Sequence, residues 1–172
     1  MPSLLIVVDF QNDFVCGSLG FSGAEALEAP IAAKIEAALA AGDDLAFTLD
    51  THDDQYLSSQ EGRLLPIPHC IAGTEGHRLY GKVAEYAARG ITFYKPIFGS
   101  SALMRHLLDR SYDKIELCGL VSNICVLSNA VICRTAQPEA EIVVDSMATA
   151  GPDPEVHRMA LEVMRGMQIQ VL

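Results

Sequence analysis

The chain has 172 residues, half of them hydrophobic, and its 12 basic and 22 acidic residues give a formal net charge of -10. This length predicts one domain, residues 1–172, with enough apolar material for a sizeable core. The acidic balance, without any run of Lys or Arg, argues against binding to nucleic acid or to an anionic membrane surface.

The first residues, MPSLLIVVDF, contain neither a basic segment nor an apolar run long enough for a signal peptide or a membrane span. The five cysteines are odd in number and include no CxxC pair, which favours free thiols in a reducing compartment. We therefore expect a cytoplasmic protein.

Short apolar runs rich in Val, Ile, Leu and Phe alternate with helix-like segments along the chain. The runs predict six strands, at residues 3–9, 44–50, 91–95, 114–119, 140–145 and 167–171. Helices are predicted before a stop at Gly42, over 76–89, 100–109 and 122–136, and from an Asp153-Pro154 cap through Val163. This alternation predicts an α/β fold, a three-layer αβα sandwich with a six-stranded, mainly parallel, Rossmann-like sheet.

Residues 51–75 form the longest stretch without a periodic pattern, and they follow the second predicted strand. A loop of this length in a compact domain is usually functional, because ordering its backbone requires a compensating ligand or contact. We expect it at the carboxyl edge of the sheet.

An acid, an amine and a thiol each follow one of the apolar runs: Asp9, Lys95 and Cys125. The carboxyl ends of parallel strands build the ligand sites of open α/β sheets, so these side chains are expected to meet there. Taken singly, Asp9 could cap a turn and Lys95 could be a surface lysine. Together the three supply the functional groups that covalent acyl transfer requires.

Cys125 is predicted to lie in the first turn of a helix that has Ser122 as its N-cap. The positive end of the helix dipole favours a thiolate there, which would raise the nucleophilicity of Cys125. The alternative is a small buried core residue, and we favour that interpretation for Cys118 and Cys133.

The long loop and the strand before it carry a second group of chemistry-bearing residues. Asp50 and His52 are separated by one residue, so in extended backbone they point the same way, and His69 follows later in the loop. Carboxylate and imidazole ligands suit Zn, Mn or Fe. The alternative for an Asp-x-His pair is a solvated turn.

The remaining histidines and two phenylalanines give weaker signals. We expect His77, His106 and His157 at surface positions of helices, without a role. Phe14 and Phe98 could stack on a flat heteroaromatic substrate or simply pack.

These residues together resemble the isochorismatase-like cysteine hydrolase superfamily, and within it the nicotinamidases, over nearly the whole chain. Residues 9–14, Asp-Phe-Gln-Asn-Asp-Phe, match the signature of the first strand, and Lys95 matches the lysine after the third. Residues 119–125, Gly-Leu-Val-Ser-Asn-Ile-Cys, match the nucleophile loop. The resemblance implies that Asp9, Lys95 and Cys125 are catalytic, that the Leu120-Val121 peptide is cis, and that the amides of Val121 and Cys125 form an oxyanion hole.

The resemblance also implies a metal site made by Asp50, His52 and His69, with zinc as the first choice among divalent metals. Many nicotinamidases carry a second histidine soon after the first, but residues 53–55 are Asp, Asp and Gln. Some members use a later glutamate instead, and Glu61 matches that variant. A further departure is Leu65, which stands where an aromatic ring often lines the substrate pocket, so the pocket is expected to involve Phe14, Leu65 and Phe98.

The function implied is hydrolysis of nicotinamide to nicotinate and ammonia through a Cys125 thioester, with the metal orienting the substrate ring. An alternative is a related amidohydrolase acting on a carbamoyl, ureido or other small amide. An alternative of another class is a non-catalytic scaffold that binds a small molecule. A nucleotide-binding role is disfavoured because DFQNDF, after the first strand, lacks phosphate-binding glycines. The resemblance is also compatible with a homo-oligomer.

Overall fold

The computed structural model describes residues 2–172 and contains one six-stranded parallel sheet. Its strands are β1 (Ser3–Val8), β2 (Asp44–Asp50), β3 (Ile91–Lys95), β4 (Lys114–Leu120), β5 (Glu141–Ala150) and β6 (Gln170–Val171). Their order across the sheet is β3-β2-β1-β4-β5-β6, and every neighbouring pair is parallel. The predicted α/β fold is confirmed.

Over residues 2–172, six α-helices lie between the strands. They are α1 (Asn12–Val15), α2 (Glu28–Ala41), α3 (Gln60–Leu64), α4 (Ser101–Leu108), α5 (Leu127–Ala136) and α6 (Pro154–Gly166). Short 3₁₀ segments lie at Glu25–Leu27, Tyr56–Ser58 and Gly81–Arg89, and a π turn spans Ser122–Val126. Within the described part of the chain, no helix has the length and apolarity needed to cross a membrane.

The sheet is buried on both faces because successive strand residues point to opposite sides. Ile6 and Val8 of β1 belong to a core shared with α4, α5 and α6. Leu5 and Val7 belong to a second core, shared with α1, α2 and the 3₁₀ segment Gly81–Arg89. Burial of these apolar side chains on both sides fixes the sheet as the middle layer.

The order in which the chain adds strands reverses at β1: β2 and β3 lie on one side of it, and β4, β5 and β6 lie on the other. The close approach of β4 to β1 requires Gly119, whose φ is +110° and whose missing Cβ would lie only 2.0 Å from the carbonyl oxygen of Val8. Ligands of open α/β sheets bind at the carboxyl ends of the strands beside such a switch point. The fold thus places a crevice beside the residues that follow β1, β2, β3 and β4.

Two strands differ in length from the sequence prediction. The fifth continues from 145 to Ala150, across a bulge in its pairing with β4. The sixth keeps only Gln170–Val171 of the predicted 167–171, because the backbone after α6 still turns: the amide of Ile169 donates to the carbonyl of Met164 at 3.1 Å.

The predicted helix over 76–89 is wrong in its first part. Residues 76–80 are not helical, because they bond to the segment after β1: Asn12 N donates to Arg78 O, and Tyr80 N donates to Phe10 O, each at 2.9 Å. Regular turns begin only at Gly81.

The long segment 51–75 is more ordered than the sequence indicated. It contains the 3₁₀ turn Tyr56–Ser58 and the helix α3. Ser59 caps that helix, since its hydroxyl accepts the amide of Gly62 at 2.9 Å.

Candidate active site

Asp9, Lys95 and Cys125 meet in the crevice at the carboxyl edge of the sheet. The Lys95 ammonium nitrogen lies 2.5 Å from Oδ2 of Asp9 and 3.5 Å from Sγ of Cys125. The three residues are 0%, 1% and 5% exposed, respectively. The structure therefore brings together, out of bulk water, the three groups that the sequence placed after separate strands.

The two oxygens of the Asp9 carboxylate have different partners. Asp9 has a left-handed backbone with φ of +44°, and its amide donates to the carbonyl of Thr48 at 3.0 Å. The Thr48 hydroxyl donates to Oδ1 at 2.6 Å, which leaves Oδ2 for Lys95. Asp9 is thereby held with one oxygen directed into the site, and Thr48 is a supporting residue that the sequence did not reveal.

Burial governs the protonation of this group. It raises the pKa of Cys125 well above its ordinary value, the Asp9 carboxylate raises it further, and Lys95 opposes both. Burial likewise raises the pKa of Asp9, against the opposing charge of Lys95. Although burial disfavours its charge, Lys95 has a raised pKa because Asp9 lies beside it. Burial and the Asp9 carboxylate thus favour the thiol of Cys125, and they oppose the thiolate-favouring effect expected at a helix N-terminus.

Cys125 sits in a π turn rather than in the first turn of an α-helix, and Ser122 lies inside that turn instead of capping it. The peptide bond before the turn, Leu120-Val121, is cis, as the resemblance implied. The carbonyl of Val121 accepts the amides of Ile124 and Val126, each at 3.2 Å. The amide of Val121 lies directly before this turn and that of Cys125 lies within it, and their role as an oxyanion hole stays a prediction.

Asn129, which the sequence did not single out, ties the cysteine to the segment that follows Lys95. Its amide nitrogen donates to the carbonyl of Cys125 at 2.8 Å and to that of Phe98 at 3.1 Å. Its amide oxygen accepts the backbone N–H of Ser100 at 3.0 Å. This fully buried side chain fixes the distance between the two segments.

Asp50, His52, Glu61 and His69 form a compact cluster beside this trio. One ligand atom from each lies within 4.8 Å of all the others. Oδ2 of Asp50 is 3.0 Å from Nε2 of His52 and 3.2 Å from Nε2 of His69. The Glu61 oxygens are 4.0 Å and 3.8 Å from the same two nitrogens. All four residues predicted as metal ligands are therefore assembled.

The donor set fits a divalent metal on three counts. Ligands about 2.0–2.2 Å from a tetrahedral zinc lie roughly 3.3–3.6 Å apart, close to the spacing between these atoms. Oε2 of Glu61 is buried and has no hydrogen-bonding partner among the described residues. Nδ1 of His69 is 2.8 Å from the carbonyl of Ile67, which accepts its proton and leaves Nε2 free to face the cluster.

Asp50 connects the metal cluster to the trio of Asp9, Lys95 and Cys125. Its Oδ2 faces the histidines, while its Oδ1 lies 3.3 Å from the ammonium of Lys95. The buried side chain of Gln11 fixes the Asp50 backbone: its Oε1 accepts the amide at 2.8 Å, and its Nε2 donates to the carbonyl at 2.9 Å. The Gln of the first-strand signature is therefore a positioning residue for Asp50.

Tyr56 supports the two histidines, and sequence reasoning missed it. Its ring centroid is 4.8 Å from that of His52 and 5.0 Å from that of His69. Its hydroxyl donates to the carbonyl of Leu65 at 2.8 Å. Residues 53–55, where a second histidine was sought, are exposed, and Tyr56 directly after them is buried.

The predicted pocket residues surround the site unevenly. The Phe14 ring is buried, with its centroid 5.6 Å from that of His69. Leu65 is half-buried, and Phe98 is exposed on the segment after β3. A cleft of about 300 Å³ opens beside the metal cluster, between Tyr56 and Ile97, and none of the three lines it. Their role in binding substrate stays a prediction.

The other three histidines are partly exposed, and two of them lie on helices as expected. His77 lies in a turn rather than a helix, with Nε2 2.9 Å from the hydroxyl of Thr51. His106 lies in α4, 3.2 Å from the Tyr112 hydroxyl. His157 lies in α6 and faces the nucleophile turn.

Comparison with known proteins agrees with this geometry. The family model described as "Isochorismatase domain" matches residues 3–172. The nicotinamidase/pyrazinamidase of Mycobacterium tuberculosis is 27% identical, over 98% of this chain and 97% of its own length. The crystal structure of nicotinamidase/pyrazinamidase PncA from Bacillus subtilis superposes with a TM-score of 0.89 at 33% identity, covering 99% of each chain. The pyrazinamidase of Pyrococcus horikoshii, solved in complex with zinc, shares the fold with a TM-score of 0.87 at 23% identity, over 100% of this chain and 99% of that chain.

Proposed function

Since the chain belongs to the isochorismatase family, we propose that it is a cysteine amidohydrolase that converts nicotinamide and water to nicotinate and ammonia. The observation that carries the proposal is the contact of Lys95 with both Asp9 and Cys125. Lys95 also contacts Asp50, which belongs to the metal cluster, so the cluster lies beside the trio. Relatives named as nicotinamidases match nearly the full length of the chain and support the choice of substrate.

In the first half-reaction, the Cys125 sulfur attacks the amide carbon while its proton passes to Asp9. The raised pKa of Asp9 makes it a stronger base than an exposed carboxylate. Lys95 stabilises the charge on sulfur as the S–C bond forms. Collapse of the tetrahedral intermediate breaks the C–N bond, and Asp9 returns the proton to the leaving nitrogen, which departs as ammonia.

The negative charge on the carbonyl oxygen needs donors that are in place before the reaction. We assign this role to the backbone amides of Val121, directly after β4, and of Cys125, within the π turn. The hydrogen bonds of this turn and the contact of Asn129 with the Cys125 carbonyl hold it fixed.

In the second half-reaction, water attacks the thioester carbon and Asp9 accepts its proton. The S–C bond breaks, Asp9 returns this proton to the sulfur to restore the thiol of Cys125, and the acid product loses its remaining proton to solvent and leaves as nicotinate. Asp9 therefore serves first as a base and then as an acid in each half-reaction, and the enzyme returns to its starting state.

Asp50, His52, Glu61 and His69 would hold a divalent metal, for which we propose zinc, with manganese or iron as alternatives. When bound, such an ion supplies a Lewis acid that orients the ring of the substrate next to the trio. The metal site lies against the catalytic trio because Asp50 contacts Lys95 with one carboxylate oxygen and His52 with the other.

A second candidate is hydrolysis of another small amide, of the carbamoyl, ureido or pyrazinamide type, by the same trio. The observation that favours it is Leu65, an aliphatic residue where an aromatic ring often lines the pocket. A non-catalytic scaffold is disfavoured by the buried acid, amine and thiol in mutual contact, because such a group is costly to bury without a function.

The cysteines and the net charge bear on the compartment and the partners of the protein. All five cysteines are free, which fits a reducing compartment, and we propose a cytoplasmic enzyme. The net charge of -10 supports a small-molecule substrate rather than nucleic acid or membrane as partner. A homo-oligomer stays an expectation from the family resemblance.

The test is ammonia release by purified protein loaded with zinc, manganese or iron, assayed on nicotinamide, pyrazinamide, a carbamoyl amide and a ureido amide. We expect the highest kcat/KM on nicotinamide and its loss after removal of the metal by a chelator, restored on reloading. Turnover of only the carbamoyl or ureido amide would replace the proposed substrate. Unchanged kinetics of metal-free protein would exclude the cluster from the reaction.

A further inference from the structure

His157 makes a part-buried contact that the proposed mechanism does not use. Its Nδ1 lies 2.8 Å from the hydroxyl oxygen of Ser122, 35 residues away in the chain. Among residues 2–172, this ring is the one hydrogen-bonding partner of the Ser122 side chain, which is fully buried. The contact connects α6 to the turn that carries Cys125.

Ser122 anchors that turn through its backbone as well as its side chain. It is the first residue of the π turn, and its carbonyl accepts the amide of Leu127, where α5 begins. Cys125 lies between these two points. A displacement of Ser122 would therefore move the backbone that carries the sulfur.

The surroundings leave Ser122 little freedom. Gly151, directly after β5, faces it, and a Cβ at Gly151 would lie 3.4 Å from the Ser122 hydroxyl oxygen and 3.1 Å from the side-chain oxygen of Asn123. The end of β5, the start of α6 and the nucleophile turn thus pack together without an intervening side chain from the strand.

The His157 side is equally well fixed. Asp153 caps α6, with its carboxylate accepting the amides of Glu155 and Val156, and its carbonyl accepts the amide of His157 at 2.9 Å. Burial lowers the pKa of His157, so its ring is neutral at pH 7 and one nitrogen can accept the Ser122 hydroxyl proton.

We propose that His157 is a positioning residue for the reaction: through its hydrogen bond to Ser122, it holds the Cys125 turn in place against Asp9 and Lys95. The opposite end of the turn is held by Asn129, which binds the Cys125 carbonyl. This inference rests on the proposed function, in that Cys125 is taken as the nucleophile. A small shift of the sulfur is sufficient to slow the reaction, because a misplacement of about 1 Å can lower the rate roughly 100-fold.

The test compares His157→Leu, which keeps the bulk and removes the hydrogen bond, with His157→Asn, which retains a polar atom near the position of Nδ1. Ser122→Ala removes the other partner. We expect His157→Leu and Ser122→Ala each to lower kcat for nicotinamide about tenfold, with KM and metal content unchanged. The double variant should be no slower than either single variant, and His157→Asn should regain most of the rate.

The matched control is His106→Leu, which removes another half-buried helix histidine with a hydroxyl partner, here Tyr112. We expect its kcat to equal that of the wild type even where its melting temperature falls. A second readout is labelling by iodoacetamide, followed by mass spectrometry of the cysteine peptides. Loss of the contact should expose the buried Cys125 and speed its labelling severalfold, while labelling of the exposed Cys16 stays constant.

Two results separate this inference from the proposed function. If wild-type protein hydrolyses nicotinamide and His157→Leu retains full kcat and wild-type labelling of Cys125, His157 has no positioning role. If wild-type protein releases no ammonia from any amide, the proposed function fails, and the labelling rates alone decide whether His157 holds the turn. Should His157→Leu fail to fold, Ser122→Ala, which removes only one hydroxyl, gives the same decision.

Discussion

Replacement of Lys95 by Met tests whether the buried charges are balanced as the structure indicates. The ammonium of Lys95 is 2.5 Å from Asp9 and 3.3 Å from Asp50, and all three side chains are nearly inaccessible. Met fills a similar volume, so the change removes charge rather than packing. Removal of one partner from a buried ion pair costs about 3–5 kcal/mol, because the remaining charge is left buried without compensation.

The loss is measurable by urea unfolding of the metal-free protein. With a slope of about 2 kcal/mol per molar urea, the midpoint should fall by roughly 1.5–2.5 M. The matched control is Lys82→Met, since Lys82 also contacts a carboxylate at 2.5 Å, that of Glu36, but both side chains are about half exposed. We expect no measurable shift for this solvated pair.

A double variant distinguishes charge from shape. Addition of Asp9→Asn to Lys95→Met removes one of the two orphaned carboxylates and should recover a substantial part of the lost stability. If Lys95→Met shifts the midpoint no more than Lys82→Met, or if the double variant is no more stable than Lys95→Met alone, the electrostatic reasoning is refuted.

Three further changes have definite expected outcomes. Glu61→Gln should weaken zinc binding in a chelator competition yet raise the melting temperature of metal-free protein, because burial and Asp50 raise the pKa of Glu61 and its charge is disfavoured there. Gly119→Ala should lower the free energy of unfolding by about 2 kcal/mol or more, measured with urea, since the new Cβ would collide with the β1 backbone and φ is positive. Lys34, which contacts Glu116 at 2.7 Å and Asp145 at 2.5 Å, lowers the pKa of both carboxyls against the opposing effect of burial. A carboxyl whose pKa is lowered by folding stabilises the folded state at pH values above its unfolded pKa, here 4.5 for Glu116 and 3.8 for Asp145. That stabilisation is lost as the pH falls through the folded pKa. The difference in unfolding free energy between wild type and Lys34→Met should therefore shrink below about pH 4.

Sequence patterns predicted the strands and the trio well because both depend on local signals. A continuous apolar run that ends in a polar residue identifies a buried parallel strand and its carboxyl end in one step. Asp9, Asp50 and Lys95 follow from that rule, and the parallel register then brings Asp50 directly opposite Lys95. No knowledge of side-chain packing was needed to place these residues together.

The features that sequence reasoning missed depend on contacts between distant segments. Tyr56 faces the metal cluster only because the long loop folds into short helical turns, and its pattern of polar residues gave no periodic signal. His157 reaches Ser122 only because α6 returns across the end of β5. The helix terminus of Cys125 was legible in the sequence, but the burial that raises the pKa of its thiol depends on packing between distant segments.

The most direct test of the covalent mechanism is ammonia release from nicotinamide by Cys125→Ala, alongside Cys16→Ala as the control at an exposed cysteine. Both proteins should retain wild-type metal content and folding, verified by circular dichroism. The account predicts that Cys16→Ala turns over like the wild type and that Cys125→Ala releases no ammonia above the uncatalysed rate. Wild-type turnover by Cys125→Ala would contradict it.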